Sequence, residues 1–167
     1  MALEELQPKV LAWAEARGIL TNSEPKTQCL KTISEVGELA DNIAKGRCIR
    51  DDIGDILVTL IILSKLCGSD FIDIVNRSHG RLSTSNCVKS QCLKAVCSAG
   101  LLARAVDCTR FVGMEIGVLV ADLFILAGMH GAGLEECLEL AYGEIEHRSG
   151  RMVNGTFVKD ESNGQEA

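Results

Sequence analysis

Apolar residues recur along most of this chain at intervals of three and four, the spacing of one face of an α-helix. From about Leu3 to Arg17, the residues Leu6, Val10, Leu11, Trp13 and Ala14 mark such a face, with Pro8 in or near its first turn and Gly18 as its stop. A longer helix follows through Leu30, Ile33, Val36, Leu39, Ala40 and Ile43, and Gly46 ends it. The next segment, about Arg50 to Cys67, is apolar on most sides through Ile53, Ile56, Leu57, Leu60, Ile61 and Leu63. Its β-branched residues suit a strand, but its length predicts a buried helix. Gly68 closes it and Asp70 is placed to cap a shorter amphipathic helix.

The pattern then repeats. Lys26-Thr-Gln-Cys-Leu-Lys31 returns as Lys89-Ser-Gln-Cys-Leu-Lys94, and the same offset of 63 aligns Gly37 with Gly100, Ile53-Gly54 with Ile116-Gly117, and Gly68 with Gly131. Fifteen identities fall between positions 26 and 68 without a gap. An internal duplication changes the architectural reading. It predicts an all-α helical bundle made of two tandem units forming a pseudo-dimer: residues 1–80 with the N-terminal helix and first unit, 81–160 with the second unit and a C-terminal arm, and 161–167 as a disordered tail. The arm is expected because the residues after Arg148 shift to Gly, Asn and Lys, with turns at Gly150 and Gly155.

Composition narrows the function classes. The net charge of −6 excludes the Lys/Arg stripe that a nucleic-acid surface needs, although a single nucleotide bridged by divalent ions remains compatible with it. The stretch Ile56 to Leu63 is too short to span a bilayer and no basic leader opens the chain, so the expected location is the cytoplasm. Eight cysteines without a CxxC pair read as reduced core residues in helical patterns, not as a disulfide or zinc framework.

The chemistry sits in five acids of the first unit. Glu35 and Glu38 are three apart on the first long helix, and Asp51, Asp52 and Asp55 open the second. If a short turn folds the two helices antiparallel, these carboxylates converge, and crowded carboxylates need positive charge among them. Oxygen-only ligation is what Mg²⁺ or Mn²⁺ prefers. Solvated helix faces are the usual fate of such charges. Here, however, Glu35 and Glu38 alternate with Val36, Gly37 and Leu39, and Asp55 precedes an apolar run, which puts some of them at the core border. Lys31 lies one turn before Glu35, and Arg148, Arg151 and Lys159 are further candidate phosphate partners that also read as ordinary surface cations. Trp13 and Tyr142 fit core packing better than base stacking. Glu144 and His147 form one ExxH pair, but a di-iron bundle needs two and the repeat places Arg81 opposite Glu144.

Ser34-Glu-Val-Gly-Glu-Leu-Ala40 followed by Asp51-Asp-Ile-Gly-Asp-Ile-Leu57 resembles the ExxE and ExxD signature of MazG-like all-α nucleoside triphosphate pyrophosphohydrolases. The segment Ala141 to Lys159 looks like the closing segment of phage members of that group. The resemblance implies hydrolysis of a nucleoside triphosphate to the monophosphate and pyrophosphate, with Mg²⁺, or Mn²⁺ in its place, held by Glu35, Glu38, Asp52 and Asp55. It also implies a homo-oligomer, here a dimer of pseudo-dimers, and a part in nucleotide-pool control. Glu38 is the favoured proton acceptor, with Glu35 beside it. Asp51 and Asp52 are both in reach of Asp55's face, so the third ligand stays open between them. The second unit carries Ser98, Leu101, Glu115 and Val118 at the matching positions and cannot hold the same ions. The alternative is a catalytically inactive helical nucleotide-binding or scaffold protein.

Overall fold

The computed structural model describes residues 1–78 and 85–160. The boundary expected at 80/81 and the tail from 161 lie outside these residues. The described chain is all-α apart from one hairpin: α1 (Leu3–Ala16), α2 (Ile19–Asn22), α3 (Pro25–Ala44), α4 (Arg50–Leu66), α5 (Phe71–Ser78), α6 (Val88–Asp107), α7 (Gly113–Met129), α8 (Leu134–Ile145), β1 (Gly150–Val153) and β2 (Thr156–Lys159). No single helix among the described residues is long and apolar enough to cross a membrane.

Local chemistry sets these bounds. Gly18, Gly46, Gly68 and Gly131 take positive φ at helix junctions, where a side chain would strain the backbone. Pro25 opens α3, where its missing N–H costs nothing, whereas Pro8 lies inside α1. Asp70 caps α5 by accepting the Asp73 N–H at 3.0 Å. Asn154 and Gly155, both at positive φ, make the two-residue turn that pairs Val153 with Thr156.

The duplication is visible in the bounds themselves. α3 and α4 map onto α6 and α7 residue for residue at the offset of 63, and α5 and α8 begin at matching positions. α3 packs on α4 and α6 on α7, with α3 and α6 in mutual contact. The short helices do something the linear pattern does not predict: α5 packs on α7, while α8 packs on α4. Two glycines show the exchange at atomic level. A Cβ on Gly54 would lie 2.2 Å from the Cys137 carbonyl oxygen and 2.7 Å from the Ala141 Cβ. One on Gly117 would meet Ser78 at 3.0 Å and Ile74 at 3.6 Å. Positions 74 and 137, like 78 and 141, are equivalent in the repeat, so each glycine admits the short helix of the other half.

α4 is the centre of the core, buried from Ile56 through Ser64. Its interior hydroxyls bond back to its own carbonyls, Thr59 to Ile56 at 2.7 Å and Ser64 to Leu60 at 2.8 Å, which lets polar groups sit there without desolvation cost. The cysteines depart from expectation. All eight are free, but Cys48, Cys87, Cys97 and Cys108 are exposed and only Cys29, Cys92 and Cys137 are buried. The exposed ones sit in linkers, at helix ends or, for Cys97, on the outward face of α6, which no described helix covers.

Candidate functional site

Five of the residues singled out by sequence line one cavity of about 310 Å³: Lys31 and Glu35 from α3, Asp55 from α4, Arg148 after α8, and Lys159 from β2. That volume suits a small-molecule ligand. Glu35 is buried and ion-paired with the Lys31 ammonium, one helical turn away. Asp55 faces the most hostile setting. Burial, then the neighbouring charges of Glu35 and Asp51, push its carboxyl up to about 7, against weaker opposing pulls from Arg148 and Lys31.

Asp51 and Asp52 belong to the same electrostatic cluster. Burial raises the Asp51 carboxyl first, followed by the charges of Glu144 and Asp52, and its Oδ1 is buried without a hydrogen-bond partner in the protein. Burial likewise raises Asp52, but both of its oxygens accept from the Asn42 Nδ2 at 2.9 Å. Two predicted residues stand apart. Glu38 is exposed and does not line the cavity, and Arg151 is exposed on β1. Among the described residues, no three Asp, Glu, His or Cys side chains converge as placed to hold a metal ion. Glu35 instead pairs with the Lys31 ammonium, and Asp52 accepts from the neutral Asn42 amide.

Sequence reasoning missed the opposite wall. Trp13 is buried but borders the cavity, and Phe157 of β2 meets it edge-on at 5.7 Å. Thr27, Gln28, Thr59 and Thr156 add hydrogen-bonding groups. Nothing local pairs residues 144 positions apart, but Gln28 left a signal, being identical in both repeats at a buried position. Glu144 also counts here, as a neighbouring charge of Asp51 and an ion-pair partner of Arg148 at 3.8 Å, not as half of an iron site.

The hairpin reaches the cavity because Arg17 holds its root. The Arg17 Nε donates to the Arg148 carbonyl at 2.8 Å and an Nη donates to the Glu146 carbonyl at 3.0 Å, with the guanidinium 5.0 Å from the Trp13 ring centroid. Arg17→Ala is expected to leave the helices intact and to speed amide exchange across 148–159, read by hydrogen–deuterium exchange. Unchanged protection there would show that the anchor lies elsewhere.

The second unit places a hydrogen-bonded trio at the corresponding positions. Ser98, standing where Glu35 stands, donates to Asp122 Oδ2 at 2.6 Å, and Gln91, standing where Gln28 stands, donates to Oδ1 at 2.9 Å. Asp122 is buried, and burial raises its carboxyl despite these bonds. The acid of this half thus stands at the repeat position of Thr59, bonded to Ser98 and Gln91 and under the opposing pull of the Lys94 charge.

No family model matches the chain. No solved structure matches it either. Over 65 residues it is 38% identical to an uncharacterized 18.2 kDa protein from the rep-hol intergenic region of Haemophilus phage HP1, a match covering 38% of this chain and 40% of that protein. The chain therefore spans about two fifths of the length of this curated relative.

Proposed function

We propose that the protein is a magnesium-dependent nucleoside triphosphate pyrophosphohydrolase whose metal-binding acids all lie in the first half of a pseudo-dimer, with the C-terminal arm contributing one wall of the pocket. The observation that carries this reading is one cavity in which buried Glu35, half-buried Asp55, three cations and an aromatic wall meet. Carboxylates alone repel a triphosphate. Cations alone bind it without providing a base. An aromatic and aliphatic wall of Trp13, Ile19 and Phe157 suits a nucleobase or sugar, which phosphate-only ligands lack.

The donor chemistry fits a hard divalent ion: all-oxygen ligands, a buried Asp51 oxygen with no partner, and an Asp55 carboxyl pushed up by burial and then by the charges of Glu35 and Asp51. Glu35, Asp55 and either Asp51 or Asp52 would hold Mg²⁺ or Mn²⁺ once Glu35 releases Lys31 and Asp52 releases Asn42. A bound ion supplies charge neutralisation at the phosphate oxygens and a more acidic water. Lys31, Arg148 and Lys159 hold the phosphates in register. A cluster carboxylate takes the proton from the water that attacks the α-phosphorus as pyrophosphate leaves; Asp55 lines the cavity for this role, whereas Glu38 is exposed and outside it. The likeness to a phage-encoded protein accords with nucleotide-pool control during infection.

A second reading, an inactive nucleotide-binding scaffold, draws on the Lys31–Glu35 ion pair and the Asn42–Asp52 hydrogen bonds, which give these acids partners from within the protein. Incubation with each common NTP and dNTP plus Mg²⁺ or Mn²⁺ separates the two. Release of pyrophosphate is expected, orthophosphate would mean a different phosphohydrolase, and binding without turnover would establish the scaffold. Glu115→Gln is expected to leave turnover unchanged. Inactivation by it would place chemistry in the second half.

A further inference from the structure

Lys31 is placed to serve two anionic partners in turn. On its own helix it is ion-paired with Glu35, one turn further on, and Glu35 is only 6% exposed. A buried carboxylate without a counter-charge is costly, so this pair differs from exposed surface pairs, which contribute little. Lys31 itself is exposed and lines the cavity together with Arg148 and Lys159. Its flexible four-carbon stem can carry the ammonium from Glu35 to a phosphate without leaving the cavity.

The repeat separates these two roles. Lys94 is the equivalent of Lys31 and is retained in a half where Ser98 stands at the position of Glu35 and Val118 at that of Asp55. Its charge still acts on a buried acid, Asp122 of the neighbouring helix. A lysine kept where the ligand set has gone is kept as the counter-charge of a buried acid. Asp51 differs from Glu35 in this respect, since its buried Oδ1 has no hydrogen-bond partner in the protein and requires no exchange.

We propose that Lys31 is a built-in competitor for the divalent cation: ammonium and metal ion exclude each other at Glu35, and a triphosphate settles the competition by drawing Lys31 to itself. This rests on the pyrophosphohydrolase reading of the site and adds to it an order of assembly. A divalent ion arriving alone must displace the ammonium, which is then left beside the like charges of Arg148 and Lys159. A triphosphate arriving with its ion offers Lys31 phosphate oxygens in exchange for Glu35. Metal and triphosphate therefore each raise the affinity of the other by the same factor.

Mn²⁺ titration of the nucleotide-free full chain at pH 8, following the electron paramagnetic resonance signal of free Mn²⁺, tests this apart from turnover. Lys31→Met is expected to bind Mn²⁺ roughly tenfold more tightly than the wild type. Lys31→Gln, which keeps a donor for Glu35 without the charge, is expected to tighten binding as well and covers the case in which methionine disturbs the fold. Lys159→Met removes the same charge from an exposed position of the same cavity and is expected to shift the affinity less than about twofold. Asp55→Asn added to Lys31→Met is expected to abolish the gain, which ties it to this site. In calorimetry the effect reverses: the magnesium complex of inorganic tripolyphosphate is expected to bind Lys31→Met roughly tenfold more weakly than the wild type. Equal Mn²⁺ affinity in the wild type and both Lys31 variants overturns the competition and leaves the catalytic reading to stand on pyrophosphate release. Equal tightening by Lys159→Met overturns it too, by showing a general effect of charge. Mn²⁺ binding by none of these proteins removes both the competition and the metal site on which it rests.

Discussion

Asp55→Asn is expected to cut turnover by roughly a hundredfold or more while raising the melting temperature at pH 8 in the absence of divalent ions. The sign follows from linkage. The Asp55 carboxyl titrates near 7 in the folded chain and near 3.8 in the unfolded one, so folding favours its protonated form. That contribution is full below about pH 3.8 and is lost as pH rises through 7. At pH 8 the folded protein therefore bears an ionised carboxylate among Glu35 and Asp51, a cost of about 2 kcal/mol once solvent screening is discounted. Asparagine removes it, for a gain of roughly 4–8 °C at this chain length. At pH 4 the two proteins should melt nearly together. Melting curves at both pH values in EDTA check this, and a variant no more stable at pH 8 than at pH 4 relative to wild type would show that Asp55 is not charge-frustrated. Loss of activity without the stability gain would separate a catalytic role from the electrostatic one.

Gly54→Ala is expected to be the most damaging single-methyl change in the fold. Helix propensity alone would favour alanine by about 1 kcal/mol. The new Cβ, however, falls 2.2 Å from the backbone oxygen of Cys137, and a backbone atom cannot swing aside as a side-chain end can. α8 must back away from α4 along its length, costing about 3 kcal/mol net and lowering the melting temperature by roughly 6–12 °C. Gly117→Ala meets the Ser78 Cβ at 3.0 Å and should cost much less, since a few tenths of an ångström relieve it. A thermal melt of the two variants side by side suffices. Equal stability would mean that the α4–α8 approach is not tight.

Most of the helical architecture was legible because it rests on periodicity and punctuation. The offset of 63 pairs α3 with α6 and α4 with α7 residue for residue, and Gly18, Gly46 and Gly68 ended helices where a left-handed backbone is needed. The partner of each short helix was not legible. Local spacing says that α5 and α8 are amphipathic, but not which apolar surface receives them, and only the Gly54 and Gly117 contacts reveal the exchange. The acids were legible as a group, and Glu35, Asp51, Asp52 and Asp55 do influence one another. Glu38, expected as a ligand and proton acceptor beside Glu35, is exposed and outside the cavity, because a spacing of three places two side chains near each other without saying which lies at the edge of the face. Asp122 went unnoticed for the reverse reason: a lone acid in an apolar helix looks like an exception until Ser98 and Gln91 are seen to hold it.

The exchange also sets the order in which the chain can complete itself during synthesis. α4 ends at Leu66, yet the helix that fills the groove over Gly54 begins only at Leu134. The first half therefore emerges with one face of its most apolar helix uncovered, and must wait for nearly the whole polypeptide before that surface is sealed. Contacts so distant along the chain slow folding and lengthen the interval in which sticky intermediates meet. Conditions that delay the C-terminal third, such as truncation after α7, should send the protein into aggregates instead of yielding a stable half.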